Sequence, residues 1–350
     1  MSSNMKAVEA EVIKQAQDLF DKEKIDLFIG YGKATIPLKS RPLFITRESI
    51  ESGSGEAVKD LVWDSFCSNN LAAYLQKYFE NQPNRRKKRE TPYPKIGLMA
   101  KGCDMRSVVA LVKERQVIRE NVVILGLPCR GMIDRKRVLE ALDGQEVSEY
   151  KDNGAVLEVI TRDGKNHSFD REEYLQPACS ECRYPVPEGI DMLLPGEGRK
   201  PGDGGYAQIK AFEGKSSDER WEYFKSELSK CIRCNACRQA CPTCWCKECF
   251  ADHTDLKWIG VGTDLSDTMI FQIIRIFHQA GRCVECDACY NACPMDIDLR
   301  TYTKKIVKDV EELFDFIPDF NTETTPPLST FSEQDSDGFI TEPDEHSQDG

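Results

Sequence analysis

Two cysteine runs carry the most specific chemistry in this sequence. Cys231, Cys234, Cys237 and Cys241, with Pro242 behind them, are spaced C-x2-C-x2-C-x3-C-P. Cys283, Cys286, Cys289 and Cys293, followed by Pro294, repeat that spacing. This is the ligand run of two-cluster iron–sulfur proteins, in which the fourth cysteine of each run binds the other run's cluster. A tight turn lets three successive thiolates face three irons of a cubane, while the backbone amides between them donate to its sulfides. The fourth cysteine is expected at the start of a following helix, where a proline's missing N–H costs nothing. The spacing therefore predicts one [4Fe–4S] cluster on Cys231, Cys234, Cys237 and Cys293, and a second on Cys283, Cys286, Cys289 and Cys241. Zinc ribbons would instead place two C-x2-C pairs across a longer loop.

A second constellation is dispersed. Cys103 follows a predicted strand over 95–100 and stands before a predicted helix over 105–115. Cys129 follows a predicted strand over 121–127 and stands before a helix over 134–142. A strand–helix–strand crossover brings both strand ends to one sheet edge, where open α/β sheets place their sites. Cys179 and Cys182 add a C-x2-C pair, and the four thiolates would suit a third [4Fe–4S] cluster. Two other readings compete: Cys103 and Cys129 as small buried side chains, with zinc or nothing at the pair, or Cys179 and Cys182 as a catalytic dithiol. Cys244, Cys246 and Cys249 follow the first run at once. With Cys67 or His253 they would make a fourth metal centre; otherwise they are buried thiols. His167, His278 and His346 are expected to have no ligand role. No acid, base or nucleophile constellation accompanies these groups, so no catalytic side chain is expected.

The elements that must position these cysteines are legible around them. Apolar residues at helical spacing mark 5–19, 71–79, 218–229 and 269–277, and short apolar runs at 26–30 and 43–46 read as strands. Segments 156–160 and 167–169, turning at Asp163-Gly164, predict a hairpin on the sheet edge. The expected architecture is an α/β core domain over 1–195, carrying one cluster, and a Gly- and Pro-rich linker over 196–215. An α-helical, two-[4Fe–4S] ferredoxin-like domain follows over 216–320, then an acidic disordered tail over 321–350. No Lys or Arg occurs beyond Lys308, which is why that tail is expected to stay unfolded or to drape on a partner.

Composition excludes several classes. With 40% apolar residues in 350, the chain can bury a real core. A net charge of −12 argues against nucleic acid as the main partner. No apolar stretch approaches the roughly 18 residues of a membrane span. The opening MSSNMKAVEAEV lacks an export pattern, so a cytoplasmic location is expected, with the sixteen grouped cysteines kept reduced as metal ligands. Gly30 and Gly32 form a lone G-x-G, weak as a phosphate loop. The basic run 85–89 reads as a solvated loop or as a dock for an acidic partner or nucleotide phosphate.

Together, KGCDMRSVVALVKE at 101–114, GLPCRG at 126–131, CSEC at 179–182, CIRCNACRQACPTCWCKEC at 231–249 and CVECDACYNACPMDI at 283–297 resemble the β-subunit of deazaflavin-linked formate dehydrogenases. The α/β part is similar to the β-subunit of deazaflavin-reducing hydrogenases, and the likeness spans roughly 5–325. The resemblance implies an iron–sulfur electron-transfer subunit of anaerobic metabolism, with Cys103, Cys129, Cys179 and Cys182 holding a core cluster. It implies a formate dehydrogenase catalytic subunit or a heterodisulfide-reductase-like flavoprotein as partner. Flavin-containing members open with a glycine-rich segment that this sequence lacks, which leaves FAD open. The alternative is a flavin-dependent oxidoreductase subunit exchanging hydride with a deazaflavin or nicotinamide.

Overall fold

Residues 3–52, 56–79, 92–253, 255 and 257–331 are described by a computed structural model. The basic run 85–89 and the tail beyond 331 lie outside the described residues. A first helix, Ser3–Asp21, buries Val8, Val12, Ala16 and Leu19, one stripe at helical spacing. Strands β1 (Leu27–Lys33), β2 (Ser40–Thr46), β3 (Ile96–Ala100) and β4 (Val122–Gly126) follow, with the helix Gly102–Lys113 between the last two. β3 is parallel to both β1 and β4, while β2 lies antiparallel on β1. Every residue of β3 and all but the last of β1 are buried, as a parallel sheet covered on both faces requires. Gly30 and Gly32 lie inside β1, not on a turn before a helix. A Cβ at Gly30 would sit 2.4 Å from Leu61 Cδ2, so close packing, not phosphate binding, accounts for that glycine.

The predicted hairpin is real but is not on the edge of this sheet. β5 (Val147–Asp152), β6 (Val156–Thr161) and β7 (Asn166–Asp170) form an antiparallel sheet of their own. It packs Leu157, Val159 and Phe169 against Val138 of the helix Arg135–Ala141. β5 escapes a reading by alternation because its register slips between Val147 and Glu149. The edge place beside β4 goes to the two-residue strand β8 (Met192–Leu193). Segment 71–79 is two short turns, Leu71–Tyr74 and Gln76–Phe79, the first capped by the Asn70 side chain.

The C-terminal half is helical. Ser217–Ser229, Leu265–Phe277 and Leu299–Phe314 surround two short helices, Ala236–Ala240 and Ala288–Ala292, that pack on each other. The segment expected as a linker is tied down. The Gly202 amide donates to the Cys182 carbonyl at 2.7 Å, the Arg199 amide to the Cys129 carbonyl at 3.0 Å, and a helix forms at Ala207–Glu213. Of the expected tail, residues 321–331 are described, and the Lys113 ammonium donates to Thr324 Oγ1 at 2.6 Å.

Candidate metal centres

β3 and β4 run in register from Ile96↔Val122 to Ala100↔Gly126, so the chain leaves both at one edge of the sheet. Cys103 lies at the start of the helix after β3, and Cys129 lies in the loop after β4. Cys179 sits in the helical turn Pro177–Ser180, with Cys182 just beyond it. All four line one cavity. The Gly131 amide donates to Cys129 Sγ, and the Met132 amide to Cys179 Sγ, each at 3.3 Å. Burial pushes the Cys129 thiol up to about 11 and raises Cys103 and Cys179 further. The cavity is also lined by Lys101, Arg106, Arg183, Arg199 and Lys304, against the carboxylates of Glu181 and Glu285. Lys101 is only 2% exposed and pairs with Asp104 at 2.8 Å. Lys101, Arg183, Arg199 and Lys304 pair with Asp104, Glu311, Glu172 and Glu285. That leaves the buried Arg106, its Nη2 without a hydrogen-bond partner, to face negative charge on the four soft donors, as an anionic metal–thiolate group would supply.

Gly102 is set against the loop that presents Cys182. A Cβ there would lie 1.8 Å from the Tyr184 carbonyl oxygen, which cannot yield without moving the backbone. Gly102→Ala is expected to cost on the order of 3 kcal/mol, as overpacking does. Denaturant unfolding of the two proteins checks it, and an unchanged midpoint would contradict it.

Cys231, Cys234, Cys237 and Cys293 line a second cavity, with Phe271, Ile297 and Leu299 in its wall. The fourth cysteine of the second run thus stands with the first three of the first run. Its counterpart, Cys241, neighbours Cys283, Cys286 and Cys289. Burial raises those three thiols, and the charge of Cys241 adds to the effect in each. The backbone repeats as well. Arg233 and Asn235 in one run, Glu285 and Asp287 in the other, adopt left-handed φ values of 52, 59, 56 and 53°. Left-handed residues at this spacing turn the backbone tightly around each run, as in turns whose amides favour anions and iron–sulfur groups. The expected helix start at the fourth cysteine is corrected: Cys241 and Cys293 each end the preceding short helix. The reason is the proline behind them, which forces the residue before it into extended backbone.

Cys244, Cys246 and Cys249 line a third cavity, which they share with Cys241, Arg275 and His278. Neither expected fourth ligand is there. Cys67 is fully buried in the α/β core, 3.5 Å from an Asp64 carboxylate oxygen. His253 is absent from the lining, whereas His278, expected to have no such place, is present. Among the described residues no three His, Cys, Asp or Glu side chains converge as ligands of a single metal ion. A cubane puts each thiolate on its own corner iron and needs sulfurs around a hollow.

The two halves are stitched at the first cavity. Val284, Glu285 and Cys286 of the second run complete its lining. Asp287 accepts from the Ala178 amide at 2.8 Å and from Arg300 Nη1 at 3.2 Å, and Arg106 Nη1 donates to the Val284 carbonyl at 3.0 Å. No spacing rule marks Arg106, Asp287, Arg300 or Lys304. Only their burial, at 4, 6, 7 and 3% exposure, sets them apart from surface charges. A fourth cavity is basic, lined by Lys39, Arg41, Arg135 and Lys136, and reaches Ala240, Ala288 and Ala292, which stand beside Cys241, Cys289 and Cys293.

A mostly parallel α/β sheet with a cysteine-lined edge, joined to a helical half built on a cysteine repeat, is the make-up of a redox subunit. The comparisons specify it further. The chain is 24% identical over 367 residues to the F420-dependent formate dehydrogenase subunit beta of Methanocaldococcus jannaschii, covering 89% of this chain and 91% of that protein. It is 25% identical over 374 residues to the F420-dependent formate dehydrogenase 1 subunit beta of Methanococcus maripaludis, covering 89% and 90%. The chain is a homologue of these β-subunits, the family that its motifs resemble. No protein-family model matches it. A chain of the F420-reducing [NiFe] hydrogenase complex from Methanosarcina barkeri is 18% identical, over 51% of this chain and 58% of that one, with a TM-score of 0.34, too low to carry an argument. Among the described residues no helix is long and apolar enough to cross a membrane.

Proposed function

We propose that this chain is the iron–sulfur electron-transfer subunit of a cytoplasmic multi-subunit oxidoreductase, relaying single electrons through [4Fe–4S] clusters. The observation that supports the reading is that two of the three proposed sets of four cysteines each line one cavity. The sets are Cys103, Cys129, Cys179 and Cys182; Cys231, Cys234, Cys237 and Cys293; and Cys283, Cys286, Cys289 and Cys241. Bound there, the clusters would supply one-electron chemistry; the protein's part is to hold, shield and tune them. Cys286 belongs to one set and lines the cavity of another, which supports a continuous path from the α/β half into the helical half. Arg106, which has an unpartnered Nη2, would offset negative charge at the first cavity, and the amides around Arg233 and Glu285 would do so in the repeats. A formate dehydrogenase catalytic subunit suits the role of neighbour, given what the relatives are named for; a heterodisulfide-reductase-like flavoprotein is the other candidate.

Anaerobic purification from the native host, at low and then high salt, tests the proposal. At least about twelve iron and twelve sulfide per chain are expected, four per cubane, with partner subunits present at low salt. A chain that emerges alone at both salts and reduces a dye with a soluble hydride donor would overturn it.

The flavin reading retains one observation in its favour. The basic cavity pairs four cations with a floor beside the repeats' fourth cysteines, a place for an anionic dinucleotide next to an electron acceptor. Flavin fluorescence in the supernatant of acid-precipitated protein decides between the two, and its absence leaves the relay alone.

A further inference from the structure

We infer that Cys244, Cys246 and Cys249, with His278, hold a fourth [4Fe–4S] cluster; this rests on the relay reading. The three thiols fall within six residues and line one cavity, in which His278 is the sole imidazole. Three thiolates and one ring nitrogen make a complete four-ligand set. The His278 ring is held edge-on to Phe250, centroids 6.0 Å apart and planes at 86°, and Phe250 follows Cys249 directly. The ring and the last thiol are therefore positioned by the same contact.

A second observation points to an anionic occupant. Arg275 lines the same cavity and is only 3% exposed. Its Nη2 donates to the Cys237 carbonyl at 3.1 Å, but Nε and Nη1 have no partner. A buried guanidinium with two idle N–H donors is costly unless negative charge stands before it. Of the thiols whose charge acts on it, Cys237, Cys289 and Cys241 belong to the two sets of the runs, and Cys244 belongs to this site. Arg275 thus stands between the repeat sets and this cavity, and a cluster held by Cys244 would place further negative charge on the cavity side of the guanidinium.

A cluster suits the site better than zinc. A structural zinc closes four ligands tightly around one point. Here the thiols border a hollow of about 1000 Å³, counted to its open mouth, and do not converge. Cys246 is exposed, whereas Cys244 and Cys249 are half-buried, so the centre would lie at the surface. Cys241 lines this cavity and also neighbours Cys283, Cys286 and Cys289, so the site abuts the set assigned to the second run. This would be the end of the relay that faces an external partner.

The test uses the full chain, purified anaerobically. The native protein should hold about sixteen iron and sixteen sulfide, and the triple variant Cys244→Ser, Cys246→Ser, Cys249→Ser about twelve of each. Retention of those twelve shows that the variant has folded. In the reduced native protein, pulsed electron paramagnetic resonance should detect a ring nitrogen coupled to one cluster. His278→Cys should abolish that coupling while keeping all sixteen irons. Twelve irons in the native protein, unchanged by the triple substitution, would overturn this inference and leave the relay intact. One zinc lost by the triple variant at constant iron would overturn it in favour of a zinc site. A native chain with no iron would remove the relay reading itself.

Discussion

Serine at position 241 should empty the site of the second cysteine run and spare that of its own run. The expected loss is about four irons per chain, one cubane. The signal to disappear is the one held by Cys283, Cys286 and Cys289. The reason is the crossing of ligands: Cys293 lines the cavity of Cys231, Cys234 and Cys237, while Cys241 neighbours the other three. Substitution should change the fold little, because serine is close to cysteine in size and Cys241 already lies 3.5 Å from Thr243 Oγ1. Electron paramagnetic resonance of the reduced variant, with the two signals resolved, is the check. Survival of the second-run signal with loss of the first would refute the crossed assignment.

Replacing Cys179 and Cys182 together by serine should also cost about four irons, this time from the α/β half. Both side chains face the cavity that Cys103 and Cys129 share, so the two remaining thiols cannot hold a cubane alone. The variant should still carry the clusters of the helical half but fail to pass electrons between the chain's two halves. Iron analysis and stopped-flow reduction from a partner subunit measure the two effects. An iron content equal to that of the native chain would mean that these cysteines hold no cluster, and the dithiol or zinc reading would return.

What was legible in the sequence, and what was not, follows from how local each signal is. The two runs declare themselves because all eight cysteines obey one spacing, and the crossing of the fourth ligands follows from that repeat. The strands that position Cys103 and Cys129 are legible because a buried parallel strand is an unbroken apolar run, as in Ile96–Ala100 and Val122–Gly126. β5 is not legible, since its bulge breaks the alternation that betrays a strand. The role of His278 is likewise hidden. It stands 29 residues beyond Cys249 in sequence, and only the fold of the helix Leu265–Phe277 returns it to those thiols. Arg106 and Asp287 read as ordinary helix and turn charges until the two halves meet.

That meeting has a consequence for how the protein is made. The first cavity takes part of its wall from Val284, Glu285 and Cys286, residues synthesised about a hundred positions after Cys182. Until they arrive, the cavity of the four cysteines in the α/β half lacks that part of its wall. Once Asp287 engages Ala178 and Arg106 engages Val284, the entrance is walled from the far side. The helical half thus closes a cavity of the α/β half. A cluster at the earlier site would then be loaded before the wall closes, and a chain cut short before Cys283 would lack that wall.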